Sequence, residues 1–182
     1  MKKLLMSIAL ATATAGAVGA CASRPETIAE QRNLIQSANA TVAAMTQRDP
    51  GLASLLRSVA GYVVFPEIGS GGFVVGGASG MGVLYQNGQA VGTVRITQAS
   101  FGALAGGQTF SQLVTFRDPY DVARLKAGQF KLGANVSAIA IKSGAAATAL
   151  TGRTAVFILP RGGLMIDVSV AGQQLKFEPF SG

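Results

Sequence analysis

The spacing of apolar and polar positions changes near residue 60. From Ile28 onward, Leu34, Ile35, Ala38, Val42 and Met45 fall near one side of a 3.6-residue spiral, which predicts an amphipathic helix. Ser23 stands three residues before Glu26 in capping-box spacing, so this helix is expected to begin within residues 22–30. Asp49 followed by Pro50 marks a stop and a restart, with Asp49 as N-cap and Pro50 at the first helical position. Leu52, Leu55, Leu56 and Val59 then give a short second helix. A helical opening of this kind either packs on the domain that follows or lies on a membrane.

Beyond Gly61 the period becomes that of strands. Residues 62–65 (Tyr-Val-Val-Phe) form an apolar run closed by Pro66, and 72–75 and 81–85 are further short runs. Asn87-Gly88 is the strongest hairpin signal in the chain. Residues 91–97 alternate as a strand does, Gly106 and Gly107 interrupt the next segment, and 109–116 reads as another strand. Asp118-Pro119-Tyr120-Asp121 is a helix start that ends by Gly128, with Asp118 capping and Pro119 opening. Strands are expected again at 133–141, 154–159, 164–170 and 175–177, with a small-residue linker over 143–152. No repeat of fixed period occurs. The expectation is an α+β protein: N-terminal helices followed by a mostly antiparallel sheet folded into a compact sandwich or barrel with one short helix.

Glycine sharpens one part of this pattern. Seven of the fourteen residues from 69 to 82 are Gly. A phosphate loop would need Lys after its second Gly, yet no Lys or Arg occurs between Arg57 and Arg95. The third Gly of a dinucleotide fingerprint is also missing, and Met81 stands where a nucleophile elbow needs Gly. Gly72, Gly76 and Gly80 lie four apart in an uncharged stretch, as in a membrane helix zipper. Seven glycines at about 1 kcal/mol each relative to Ala argue against a helix here. The remaining reading is strands packed so closely that side chains do not fit at the glycines.

The first residues follow another logic. Lys2 and Lys3 precede an apolar run over 4–18, too short to span a bilayer, that ends in Val18-Gly19-Ala20-Cys21. This reads as a secretory signal peptide over 1–20, and its end resembles the lipobox of bacterial lipoproteins. The resemblance implies acylation at Cys21, the only cysteine, with 21–30 as acylated tether and 31–182 as a single domain. An ordinary signal peptide followed by Cys is the alternative. Two or three acyl chains anchor stably where one would not. Ala22 and Ser23 lack the aspartate of inner-membrane retention, so the resemblance points to the outer membrane, with the domain in the periplasm or at the cell surface.

Without Lys2 and Lys3 the formal charge of +7 becomes +5. Residues 22–67 balance four basic against four acidic groups, whereas nine basic residues face only Asp118, Asp121, Asp167 and Glu178 beyond them. A cationic C-terminal part suits anionic phospholipid headgroups, or is simply a solvated basic surface. The candidates by charge placement are Arg124, Lys126, Lys131, Lys142 and Arg153. With no histidine and Cys21 committed to lipid, Ser-His and Cys-His nucleophile pairs and the commonest zinc ligands are excluded. Asp167 and Glu178 show no spacing that suggests a carboxylate pair. No enzymatic activity, cofactor, metal or nucleic-acid partner is expected.

Residues 61–66 (Gly-Tyr-Val-Val-Phe-Pro), the glycine-rich run, Gly80-Met81-Gly82-Val83-Leu84 and the 102–108 segment together resemble the SYLF, or Ysc84-like, domain across roughly residues 52–178. The resemblance implies lipid binding. Family members carry a basic residue shortly after Phe-Pro, whereas Glu67, Ile68 and Gly69 follow here, so no headgroup contact is carried over to that point. The expected function is an envelope lipoprotein that binds anionic phospholipid. A structural or adaptor lipoprotein that binds another envelope protein is the alternative.

Overall fold

The computed structural model describes residues 25, 27–72, 75–101, 104–133, 136, 138–148, 152–161 and 172–180. The expected signal peptide, Cys21 and the strand expected at 164–170 lie outside the described residues. The elements are α1 (Ile28–Arg48), α2 (Gly51–Ser58), β1 (Gly61–Gly72), β2 (Val75–Gln86), β3 (Gln89–Phe101), β4 (Leu104–Phe116), α3 (Pro119–Lys126), β5 (Ala138–Ala140), α4 (Ala145–Thr148), β6 (Thr154–Arg161) and β7 (Gln174–Pro179). The strands form one sheet in the order β5-β6-β4-β1-β2-β3-β7. All neighbours are antiparallel except β5 and β6. The α+β class is as expected. The strands make a single open sheet, with β5 and β7 at its ends, and do not close into a barrel.

Helices cover both faces of this sheet. On one side Ala38 and Met45 of α1, Leu52 and Leu55 of α2 and Ala145 and Ala146 of α4 pack against Val64, Val83, Tyr85, Leu113 and Phe157. On the other, Val122 and Leu125 of α3 and the following Phe130 and Leu132 pack against Val63, Phe65, Leu84, Val94, Val114 and Phe116. Burial on both faces explains why 62–65 reads as a continuous apolar run and not as an alternating one. Gln173 closes the α3 side, exchanging hydrogen bonds with Gln112 of β4 (2.9 and 3.3 Å) and donating to Gln98 of β3 (3.1 Å).

Strand β1 does not stop at Pro66. It continues to Gly72 through a bulge on each side. Phe65 and Pro66 stand against Gly82 of β2, and Pro66 and Glu67 stand against Ser111 of β4. Proline, which has no N–H to give to a ladder, is tolerated in a central strand at such a point. The Ser111 hydroxyl donates to the Pro66 carbonyl at 2.6 Å, which satisfies the acceptor left out of register. The glycines opposite let large side chains lie flat on the sheet: a Cβ at Gly82 would meet the Phe65 ring, and one at Gly92 the Phe177 ring.

Local signals elsewhere land within a few residues. Asn87 (φ 51°) and Gly88 (φ 76°) form a two-residue turn with the positive φ at both positions that type I′ requires. The capping box of α1 is Thr27 with Glu30: Thr27 Oγ1 accepts from Glu30 N–H (3.1 Å) and Glu30 Oε2 accepts from Thr27 N–H (3.0 Å), while Ser23 and Glu26 lie outside the described residues. A start at Ser23 would place Arg24 in a helical conformation immediately before Pro25, which the proline ring disfavours. At the second helix Pro50 is the N-cap, and Asp49 behind it provides the acceptor for Gly51 N–H at 3.1 Å. Within 133–141 the described strand is only β5, and the 143–152 linker contains the single turn α4.

Candidate functional site

The cationic candidates are positioned by α3. Asp118 Oδ1 accepts from Tyr120 N–H at 2.8 Å and Pro119 opens the helix. Val122 and Leu125 are buried, which turns Tyr120, Ala123, Arg124 and Ala127 outward at i, i+3, i+4 and i+7. Tyr120 is 63% exposed, one of two large apolar side chains so exposed among the described residues. The helix ends at Gly128, whose φ of 71° suits glycine.

Arg124 Nη2 donates to the Gln129 carbonyl at 3.0 Å, so its side chain folds over the turn that leaves the helix. Lys126 Nζ lies 5.8 Å from the centroid of the Phe177 ring on β7, a cation–π contact. Lys131, also exposed, bridges to Gln174 through its backbone. Basic groups here also suit the carbonyl end of the helix. Among the described residues none of these three cations pairs with a carboxylate.

The other two candidates stand apart. Arg153 forms ion pairs with Asp118 (2.9 Å) and Asp121 (3.5 Å), at the beginning of α3. Its charge is committed to the fold. Lys142 follows β5, six strands and roughly 29 Å across the sheet from β7, beside which Lys126 and Lys131 lie. The structure therefore sets Arg124, Lys126 and Lys131 on α3 and the segment that leaves it, with Tyr120 on the same helix, and leaves Lys142 and Arg153 outside. Neither Tyr120's exposure nor the Phe177 platform under Lys126 carries a signal in the local sequence.

A tyrosine pair marks the opposite face at the same end of the sheet. Tyr62 and Tyr85 are cross-strand partners with rings stacked at 5.0 Å, and Tyr85 Oη donates to Asn39 Oδ1 of α1 at 2.7 Å. Burial, and secondarily the neighbouring Tyr62, push the Tyr85 phenol up to about 12; burial also raises Tyr62. A phenol whose folded pKa exceeds its ordinary value of 10 stabilises the fold fully below pH 10 and loses that contribution as pH rises through 12. Urea midpoints should therefore fall between pH 10 and 12, and Tyr85→Phe should flatten part of the fall. An unchanged slope in that variant would contradict the assignment.

Among the described residues no helix is long and apolar enough to cross a membrane, and no group of three or more His, Cys, Asp or Glu could hold a metal ion. No family model matches the chain, and no curated protein matches it either.

Proposed function

We propose that this chain is an envelope lipoprotein, anchored in the outer membrane through Cys21, whose domain binds anionic phospholipid with α3 and the turn after it. The observation that carries this reading is the group Arg124, Lys126 and Lys131: three cations without carboxylate partners among the described residues, on one short helix and its exit, with Tyr120 exposed on the same helix. A cation near an anionic surface contributes about 1 kcal/mol, and an amphipathic ring such as tyrosine suits the headgroup level. The SYLF-like residues at 61–66 and 80–84 support the same reading. Arg153 and Lys142 take no part in it.

The test is co-sedimentation of the chain carrying Cys21→Ser with vesicles of phosphatidylglycerol or phosphatidylcholine. Binding should favour phosphatidylglycerol and weaken with salt. Lys126→Gln with Lys131→Gln should lower the affinity roughly 30-fold, at about 1 kcal/mol for each charge removed. Equal sedimentation with both lipids, or an unchanged double variant, would reject the proposal.

A further inference from the structure

Where the end of α2 meets the β2–β3 turn there is a concavity, on the face of the sheet opposite α3. It has a volume of about 440 Å³ and is lined by Leu56, Arg57, Val59, Tyr62, Asn87 and Gly88, with Gly61 at its base. Val122 of α3 sits behind Gly61, so the concavity and the cationic helix share one end of the sheet. Its lining is divided by chemistry. Leu56 and Val59 offer an apolar wall; Arg57, Tyr62 and Asn87 offer a cation, a phenol and a carboxamide; among the described residues no acidic one takes part.

Arg57 differs from the arginines that serve the fold. Arg153 and Arg161 each meet a carboxylate at about 3 Å, at Asp118 and Glu67. Among the described residues Arg57 donates from Nη2 to the Ser54 hydroxyl one turn back, at 3.0 Å, and no carboxylate pairs with it. That contact uses one N–H of the five in the guanidinium fork and fixes its direction. Tyr62 is held in place by stacking on Tyr85, and its phenol, protonated at neutral pH as any tyrosine's is, can donate. Asn87 is held by the positive-φ turn it helps to form. The volume lies in the range of small-molecule pockets and exceeds what a bare phosphate fills.

We infer that this concavity binds a phosphate group carried on an apolar chain: Arg57, Tyr62 and Asn87 hold the phosphate oxygens, and Leu56 and Val59 hold the first carbons of the chain. A bidentate guanidinium–phosphate contact is the strongest element of such a site. The inference rests on the lipid-binding reading for the source of the ligand, while the site itself rests on its own residues.

The experiment is isothermal titration of the full chain carrying Cys21→Ser with two probes: dihexanoyl phosphatidic acid below its micelle concentration, and inorganic phosphate. Arg57→Gln should weaken binding by at least about tenfold, as expected for loss of a charged hydrogen bond. Asn87→Gly, which keeps the turn, should weaken it about threefold. Arg161→Gln, at a charge paired with Glu67 and absent from this lining, should leave it within about twofold. A preference of tenfold or more for the lipid supports the apolar wall of the site, and equal affinities for lipid and free phosphate overturn it. Binding of neither probe, or an affinity unchanged in Arg57→Gln with an intact circular dichroism spectrum, overturns the inference. If titration succeeds while vesicle sedimentation fails, the pocket stands and the α3 surface falls; the reverse result removes only the pocket.

Discussion

Asp49→Ala is expected to melt about 10 °C below the parent, a loss of roughly 3–5 kcal/mol. Asp49 is 3% exposed, and its carboxylate accepts three backbone N–H groups. Oδ1 takes Gly51 (3.1 Å) and Gly144 (3.3 Å), and Oδ2 takes Ala146 (2.6 Å). The first belongs to α2 and the other two to the start of α4, so one side chain joins helices that are distant in the chain. Each bond to an ionised acceptor is worth about 1.5–3 kcal/mol, and truncation leaves three donors without it in a site that water enters poorly. Asp49→Asn keeps one carbonyl but turns its NH₂ toward a backbone donor, so it should recover only part of the loss. Thermal and urea unfolding followed by circular dichroism measure both. An alanine variant within 1 kcal/mol of the parent would show that the carboxylate is not the link between α2 and α4.

That link also explains what the sequence could not reveal. The change of period at residue 60, the Asn87-Gly88 turn and the Asp118-Pro119 helix start are local effects of backbone and side-chain chemistry, and each is legible from a few residues. The single turn of α4 in a linker of alanines is not, because its N–H groups are held by an aspartate 95 and 97 residues away. Pro66 misleads for a similar reason. A proline ends a strand unless a bulge takes its place in the ladder, and that depends on Gly82 and Ser111 in two other strands. Strand order is likewise set by distant pairing, so an open sheet and a barrel look alike in the pattern of apolar residues.

The candidate surface divides along the same line. Arg124, Lys126 and Lys131 are close in sequence and so stay on one helix and the segment that leaves it. Arg153 is neutralised by Asp118, 35 residues earlier, a pairing invisible to any charge count. Arg57 shows the converse. It sits in the segment 22–67 whose charges sum to zero, yet it has no carboxylate partner among the described residues once the chain is folded. Balance along a chain is therefore a poor guide to the field at a site, because ion pairs form between elements and not within windows.

Gly82→Ala is expected to cost about 3 kcal/mol or more, the upper end of the range for forcing atoms into a filled core. Gly82 is buried opposite the Phe65-Pro66 bulge, and a Cβ there would stand 2.5 Å from the Val64 carbonyl oxygen and 2.6 Å from Phe65 Cδ1. The ring could turn away, since a side chain has other rotamers. The carbonyl cannot, because it belongs to the backbone of β1, and moving it breaks the pairing of β1 with β2. Gly69→Ala is the control: it lies in the same glycine-rich run, a Cβ there meets nothing within 4 Å, and its effect should stay within about 0.5 kcal/mol. Phe65→Leu in the Gly82→Ala background should recover about 1 kcal/mol, the part of the clash due to the ring, and leave the part due to the carbonyl. Urea unfolding of the four variants, Phe65→Leu alone included, gives the cycle. Equal destabilisation by Gly82→Ala and Gly69→Ala would mean that strand propensity, and not close approach, explains glycine in β1 and β2.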